Sequence, residues 1–183
     1  MLFRSQYPIP QALREIASSH IKDLLAGDII QSSNSPYASP LIMIKKKTEG
    51  YRLVVDYRAL NKLIIPDPYP LPKIQSILDN LRGFKYFSTL DLNSSFHQIE
   101  LDPRDRKLTA FLSPDGQFEY KTLPFGISIS PAVFQRLADK LFHNLHDEFI
   151  FSYSINNHFI KGVLHFNNSV LSSFSISYDL SNH

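Results

Sequence analysis

The chain has 183 residues, enough for one domain with a sizeable core but not for two full-sized domains. Its 43% hydrophobic and 20% charged residues are typical of a globular protein, and the net charge of +2 does not by itself indicate nucleic-acid binding. The absence of Cys excludes disulfides and thiolate metal sites. Apolar runs are too short to span a membrane, and early prolines make the N-terminus a poor signal peptide. We therefore expect an intracellular protein, in the cytoplasm or nucleus, that has no membrane partner and is not secreted.

Charge is distributed unevenly along the chain. Residues 151–183 contain only Lys161 and Asp179, whereas the other 34 of the 36 charged residues (19 basic plus 17 acidic) precede them. The same tail is rich in Ser and Asn and shows neither a helical stripe nor a long strand alternation. This change of composition predicts a boundary near residue 150.

The first half of the chain alternates helical and strand patterns. A helical stripe predicts a first helix, with Gly27 just past its end. Its members are Leu13, Ile16, His20, Ile21, Leu24 and Leu25. After the turn sequence "NSPYASP", the runs "LIMIKKK" and "YRLVVDY" flank "TEG" and predict a hairpin. A second stripe predicts another amphipathic helix, ending at Gly83. It consists of Ile74, Ile77, Leu78 and Leu81.

The second half repeats this mixture. "FKYFSTLDL" has a strand pattern, and "TAFLSPDGQFEYKTL" predicts a hairpin that turns at Pro114, Asp115 and Gly116. Ser130 and Pro131 are suited to begin a helix, and an apolar stripe follows them. The stripe contains Val133, Phe134, Leu137, Leu141 and Phe142. Hairpins interspersed with helices favour an α+β fold over a doubly wound parallel sheet.

Four separated motifs carry a resemblance to a known family. They read "GDIIQSSNSPYASPLIMIKKK", "YRLVVDYRALNKLIIPDPYPLP", "YFSTLDLNSSFHQIELDPRDRKLTAF" and "FEYKTLPFGISISPAVFQRL". In this order they resemble the reverse transcriptase of gypsy-type LTR retrotransposon Pol polyproteins. The resemblance covers residues 7–150 and implies the fingers and partial palm of a right-hand polymerase, with antiparallel hairpins and packed helices. Residues 151–183 then form a degenerate or out-of-family tail.

The resemblance implies a catalytic and metal-binding role for Asp91. In the family it is the first of three palm aspartates that hold two Mg²⁺ ions, and Leu92 adds a backbone carbonyl near the nucleotide. Phosphoryl transfer depends on such metal-assisted charge stabilisation. Without the surrounding motifs, Asp91 would be interpreted as a strand-end residue that caps a turn.

Further positions are implied to bind the incoming dNTP. Lys46 and Arg52 flank the first predicted hairpin turn and would contact the triphosphate, although a Lys run is often only a solvated face. Phe96 would pack beneath the sugar and exclude a 2′-hydroxyl; the alternative is a core Phe. Phe125 and Gly126 match the segment against the nucleotide and template, where Gly permits close approach, but FG alone would indicate only a turn.

A third group of positions is implied to contact an RNA or DNA template–primer. Asp56, Arg58 and Asn61, in "VVDYRALN", combine template contact with structural pairing. Gln135 matches a position near the template strand, although its plain interpretation is an exposed helical Gln.

The partners of Asp91 are not found where the family places them. The family has Tyr, any residue, Asp, Asp shortly after the "FQRL" helix, whereas this chain has "FIFSYSINNHFI". Aligned on Tyr153, the acidic positions become Ile155 and Asn156, or Asn156 and Asn157 with one insertion. Asn is neutral and cannot balance two divalent ions.

This sequence therefore predicts a truncated, inactive reverse transcriptase domain that does not bind Mg²⁺ productively. Two alternatives remain open, a non-catalytic nucleic-acid-binding module and a relic with no selected function.

Overall fold

The computed structural model describes residues 7–73, 75–76, 79, 88–90, 94–141, 150–151 and 162–164. Short strands and helices alternate through these ranges. The helices are α1 (Gln11–Ala26), α2 (Arg58–Asn61), α3 (Pro103–Arg106) and α4 (Ser130–Leu141), with 3₁₀ turns at Ser95–Gln98 and Lys107–Thr109. The strands are β1 (Ile30–Ser32), β2 (Ser39–Lys45), β3 (Tyr51–Val55), β4 (Ser88–Leu90), β5 (Phe111–Ser113), β6 (Gly116–Tyr120), β7 (Ile150–Phe151) and β8 (Gly162–Leu164).

Five of these strands form the main sheet, in the order β1-β6-β5-β2-β3. Both predicted hairpins are present, because β2 pairs antiparallel with β3 and β5 pairs antiparallel with β6. The sheet also contains a parallel pairing between β2 and β5, in which Ser39 lies opposite Phe111. The sequence patterns did not predict this pairing, because it joins segments about 70 residues apart in the chain and no local signal encodes it.

Helix α1 packs against the main sheet. Ile21 on its inner face is buried, as its stripe predicts, but Leu25 is 39% exposed and was wrongly assigned to that face. Gly27 caps the helix with a φ of −80°, and the left-handed conformation falls instead on Asp28, with a φ of 55°. The helix thus ends at Ala26, directly before Gly27, as the sequence predicts.

The hydrophobic residues form two adjoining clusters. The larger lies between α1 and the main sheet, and it includes Ile21, Ile30, Leu41, Val55, Tyr57, Phe111, Phe118 and Tyr120. The smaller cluster surrounds α4 and consists of Phe96, Leu123, Phe134 and Ala138. Tyr57 donates a hydrogen bond of 2.7 Å from its hydroxyl to the Thr109 carbonyl, so its one polar atom is satisfied within the core.

The buried face of α4 differs from the predicted one. Phe134 is buried as expected, but Val133 and Leu137 are only half-buried and Leu141 is 43% exposed. Their places on the inner face are taken by Ala132, Gln135 and Ala138. Ala138 lies in the smaller cluster with Phe96 and Phe134, where close packing favours a small side chain, and a stripe defined by large apolar residues overlooks such positions.

A second sheet joins β4, β8 and β7, in that order. Strand β8 lies between the other two and pairs antiparallel with each, and Leu90 is opposite Gly162. The strand predicted before Asp91 is therefore present as Ser88–Leu90. Most of the helix predicted from Ile74 to Leu81 lies outside the described residues, although residues 75, 76 and 79 are helical.

Candidate nucleotide and template site

The segment that follows β3 carries an ion pair between two of the predicted template residues. Asp56 is 6% exposed and accepts hydrogen bonds from the Arg58 guanidinium, 2.8 Å from Nε to Oδ1 and 2.7 Å from Nη2 to Oδ2. The Arg58 backbone N–H also donates to Oδ1, at 3.1 Å. Hydrogen bonding and charge attraction from Asp56 raise the pKa of Arg58 further above its ordinary value. This pairing fixes the start of α2 and leaves most of the Arg58 side chain exposed.

Asn61, at the end of α2, joins two distant parts of the chain. Its Nδ2 donates to the Gly126 carbonyl at 2.8 Å, and its Oδ1 accepts from the Ser128 backbone N–H at 2.9 Å. Both ends of one amide therefore hold the loop that contains "FGIS". The structure thus brings Asn61 and Gly126 together, although the sequence analysis assigned them to different groups.

Gly126 lies in a left-handed turn of that loop, with a φ of 91°. A Cβ atom there would meet Tyr57 Cδ2 and the Val55 carbonyl at 3.6 Å, which is ordinary contact. The requirement for Gly therefore comes from the backbone conformation rather than from lack of space.

Phe96 is buried, with 1% exposure, in an aromatic cluster. Its ring centroid lies 5.3 Å from that of Phe125 and 5.9 Å from that of Phe134. Phe125 is half-buried and also makes a T-shaped contact with the His97 ring, with 5.1 Å between the ring centroids. Phe96 thus has the surroundings of a core residue, and its contact with a nucleotide sugar stays a prediction.

His97 was not singled out by the sequence analysis. Its ring stacks on Tyr120 at 5.8 Å and with an interplanar angle of 10°. Burial lowers the pKa of His97, and a backbone hydrogen bond with Leu123 opposes this shift only in part. The imidazole is therefore held in its neutral form between aromatic neighbours.

Lys46 and Arg52 lie at the tip of the β2–β3 hairpin. Arg52 is opposite Ile44, and the Lys46 backbone N–H continues the ladder to the Gly50 carbonyl at 3.0 Å. Because side chains alternate along a strand, Lys46, Ile44 and Arg52 share one face of the hairpin. The other face carries Met43 and Leu53, which pack against the main core. The two predicted phosphate contacts therefore lie together on the face turned away from that core.

Gln135 is fully buried on α4, whereas its plain interpretation was an exposed helical Gln. Its Nε2 donates to Asp139 Oδ1 at 2.8 Å, and Asp139 Oδ2 accepts from the Tyr69 hydroxyl at 2.7 Å. The sequence analysis identified neither Tyr69 nor Asp139. The spacing of Gln135 and Asp139 by four residues was a usable signal, because such residues face one another on a helix.

A cleft of about 320 Å³ lies between α4 and the segment 66–71, which we call the proline strap after its sequence "PDPYPL". The strap lines the cleft with Pro66, Asp67, Tyr69 and Leu71. The remaining lining residues are Asn61, Ile64, Ser128, Ile129, Pro131 and Ala132. Of the four predicted template residues, Asn61 alone lines this cleft.

Asp91 and Leu92 lie outside the described residues, and so do Ile155, Asn156 and Asn157. The strands around these positions are nevertheless described, because β4 ends at Leu90 and the connection between β7 and β8 comprises residues 152–161. That connection reads "SYSINNHFIK" and contains neither Asp nor Glu. Strand β8 pairs directly with β4, so the hairpin that adjoins the strand before Asp91 has no carboxylate in its connection.

Comparison with known proteins identifies relatives over most of the chain. The model of the family "Reverse transcriptase (RNA-dependent DNA polymerase)" matches residues 44–165. The retrovirus-related Pol polyprotein from transposon opus of Drosophila melanogaster is 43% identical over 145 residues, which cover 76% of this chain and 14% of that protein. The corresponding polyprotein from transposon gypsy of the same organism is 41% identical over 144 residues, covering 75% of this chain and 14% of that protein.

Solved structures show the same relationship. The foamy viral protease-reverse transcriptase in complex with RNA/DNA hybrid matches with a TM-score of 0.78 and 27% identity, over 91% of this chain and 21% of that chain. A second structure of the foamy viral enzyme, in complex with double-stranded DNA, matches with a TM-score of 0.77 and 27% identity, over 91% of this chain and 28% of that chain.

These matches confirm the resemblance to gypsy-type retrotransposon polymerases and the α+β polymerase fold. This chain spans 14% of the length of the two Drosophila polyproteins. Within the described residues, no helix combines the length and the apolar character that a membrane crossing requires. The chain belongs to the reverse transcriptase (RNA-dependent DNA polymerase) family.

Proposed function

We propose that this chain binds a template–primer and an incoming dNTP on the surfaces of a reverse transcriptase domain, without catalysing nucleotide addition itself. The observation that carries the proposal is the contrast between two regions. Asn61 lines a cleft and holds the Gly126–Ser128 loop, whereas the β7–β8 connection contains no carboxylate.

The cleft supports template binding. Asn61 fixes the Gly126–Ser128 loop from one side, and the exposed backbone at Gly126 permits close approach by a ligand. Foamy viral protease-reverse transcriptase, which matches 91% of this chain, was solved in complex with RNA/DNA hybrid and with double-stranded DNA. Template binding at the equivalent surface is therefore the simplest assignment for the cleft.

The cationic hairpin supports contact with phosphates. Lys46 and Arg52 share the face turned away from the main core, and Lys45 and Lys47 adjoin them. Residues 1–140 contain 18 basic and 14 acidic residues, a balance of +4, so positive charge is concentrated in the part that contains the hairpin. Guanidinium and ammonium groups in this arrangement bind phosphate oxygens independently of base sequence.

The metal site does not fit the residues of this chain. Two Mg²⁺ ions in a polymerase site require several carboxylates to balance their charge. Asp91 follows β4, but where the resemblance implies two aspartates the β7–β8 connection has Ile155 and Asn156, or Asn156 and Asn157 with one insertion. We therefore assign no catalytic step to this chain.

A salt titration of nucleic-acid binding tests the proposal. The anisotropy of a fluorescein-labelled single-stranded DNA gives its affinity for the purified chain over a range of salt concentrations. Changing Lys45, Lys46, Lys47 and Arg52 to Ala should weaken binding and flatten the slope of log K against log salt by about two to three, since each phosphate contact contributes about 0.7.

The matched control changes four exposed basic residues that lie outside the hairpin, Arg14, Lys22, Arg104 and Lys107. The control changes the net charge by the same amount as the hairpin variant, so an effect of net charge alone would weaken binding equally in both. Because we propose that the hairpin itself contacts phosphates, we expect the control to retain most of the parental salt slope. Equal slopes for the parent and the hairpin variant would exclude the hairpin as the contact surface, and absence of binding by the parent would favour a relic without function.

A further inference from the structure

The proline strap contacts α4 through two polar connections. In the first, the Asp139 carboxylate divides its oxygens between the Tyr69 hydroxyl, at 2.7 Å, and the Gln135 amide, at 2.8 Å. The Tyr69 hydroxyl is thus tied, through one carboxylate, to a side chain that is fully buried in α4. Charge-assisted hydrogen bonds of this length are stronger than those between neutral groups.

The second connection runs from Asp67 to Arg136. The guanidinium Nη2 lies 2.8 Å from Asp67 Oδ1, and the Arg136 Cζ lies 4.7 Å from the centroid of the Tyr69 ring. Asp67 also accepts a hydrogen bond of 3.0 Å from the Tyr69 backbone N–H. Arg136 is 52% exposed, so screening by solvent makes this ion pair weaker than the Tyr69–Asp139 contact.

The composition of the strap explains why it depends on side chains. Pro66, Pro68 and Pro70 alternate with Asp67, Tyr69 and Leu71, so every second residue lacks a backbone donor. A strand of this composition cannot pair fully with a sheet edge. Its position against α4 must then come from the side chains between the prolines, and Tyr69 makes the contact that reaches the buried part of the helix.

The strap is also one wall of the cleft assigned above to the template. Tyr69 and Leu71 line it from the strap, and Pro131 and Ala132 line it from the start of α4. The distance between the strap and α4 therefore sets the width of the cleft. The ion pair with Arg136 also offsets the charge of Asp67, a carboxylate that would otherwise repel a polyanion nearby.

We propose that Tyr69 and Asp139 are positioning residues, which hold the proline strap against α4 and thereby keep the cleft in the shape that binds template. This inference rests on the proposed function. Neither side chain needs to touch the nucleic acid. Loss of the Tyr69–Asp139 contact lowers the fraction of molecules whose strap is docked against α4. The apparent affinity for nucleic acid is proportional to that fraction, so it falls with it.

The test uses Tyr69→Phe, which removes one hydroxyl and keeps the ring over Arg136. Binding of a fluorescein-labelled single-stranded DNA should weaken roughly two- to tenfold, the loss expected for one hydrogen bond. The salt slope should not change, because no cation is removed. Asp139→Asn should give a similar loss, since one amide oxygen cannot accept equally well from both donors, and the double variant should lose little more than either single variant.

Tyr57→Phe is the matched control. It deletes a hydroxyl whose hydrogen bond to the Thr109 carbonyl is also 2.7 Å long, but in the main core away from the strap. Urea unfolding measures the stability of all variants, so a binding loss can be separated from general destabilisation. Tyr57→Phe should lower stability and leave the affinity unchanged below the unfolding range.

The inference is overturned if Tyr69→Phe and Asp139→Asn bind as tightly as the parent, or if Tyr57→Phe loses as much affinity as Tyr69→Phe. It is also overturned if the two effects simply add in the double variant. In each of these cases the parent still binds, and the proposed function stands. Absence of binding by the parent would instead reject the proposed function, and this inference with it.

Discussion

At the residue scale, the left-handed turn at Gly126 gives a sharp prediction. Gly126→Ala forces a Cβ into a backbone conformation with a φ of 91° and should lower the free energy of unfolding by about 1–2 kcal/mol. Urea denaturation measures the change. Gly27→Ala is the matched control, because Gly27 has a φ of −80° and should tolerate Ala within about 0.5 kcal/mol. Equal stabilities for the two variants would show that the turn does not depend on Gly126.

His97 gives a second prediction at the same scale. Burial holds its pKa below the ordinary value of about 6.5, so the unfolded chain binds its proton first as the pH falls. The stability linked to His97 is therefore present above about pH 6.5 and is lost between that pH and the folded-state pKa. Urea unfolding at a pH near 7.5 and near 5.5 should show a smaller loss for His97→Phe than for the parent. An identical pH dependence in both proteins would contradict this.

At the scale of elements, helix α4 contains apolar residues of two kinds: some are buried in the core, and others belong to the predicted apolar stripe but are exposed. Phe134 is 3% exposed and packs on Phe96, so Phe134→Ala should cost about 3–5 kcal/mol of unfolding free energy. Leu141 belongs to the same predicted stripe but is 43% exposed, and Leu141→Ala should stay within about 0.5 kcal/mol. Chemical denaturation of both variants checks the order. A larger loss of unfolding free energy for Leu141→Ala than for Phe134→Ala would contradict the observed buried face of α4 and support the one predicted from the sequence.

The sequence predicts the elements better than their associations. Local patterns located α1, both hairpins of the main sheet and the start of α4, because capping residues, alternation and turn residues act over a few positions. The parallel pairing of β2 with β5 has no such local signal. Periodicity also missed the small residues on the inner face of α4, since Ala132 and Ala138 are buried by the bulk of their neighbours rather than by their own hydrophobicity.

The site shows the same division. The family motifs indicated Asn61 and Gly126 separately. Only the fold shows that the Asn61 side chain donates a hydrogen bond to the Gly126 carbonyl and so holds the loop that contains it. Tyr69 and Asp139 lie 70 residues apart in sequence, so no spacing rule could connect them. Gln135 was predicted to lie near the template, but its complete burial depends on packing that the helical pattern does not encode.

At the scale of the whole molecule, the chain combines a reverse transcriptase fold with a β7–β8 connection that contains neither Asp nor Glu. The proposed binding surfaces are the β2–β3 hairpin of the five-stranded sheet and the cleft between α4 and the proline strap, and the three-stranded sheet contains the strand that precedes Asp91. The connection "SYSINNHFIK" lacks the two acidic residues that the resemblance to gypsy-type reverse transcriptases implies there, and our proposal of a non-catalytic chain rests on this difference. Binding and catalysis should therefore be separable in this chain.

Primer extension under saturating binding tests this separation most directly. The chain is incubated with a labelled template–primer, at a concentration where anisotropy shows the complex to be fully formed, with dNTPs and either Mg²⁺ or Mn²⁺. Because two of the three metal-binding carboxylates implied by the family resemblance have no counterpart in this sequence, we predict no extension above a protein-free blank with either ion. Extension by the parent that is abolished in Asp91→Asn would contradict the account.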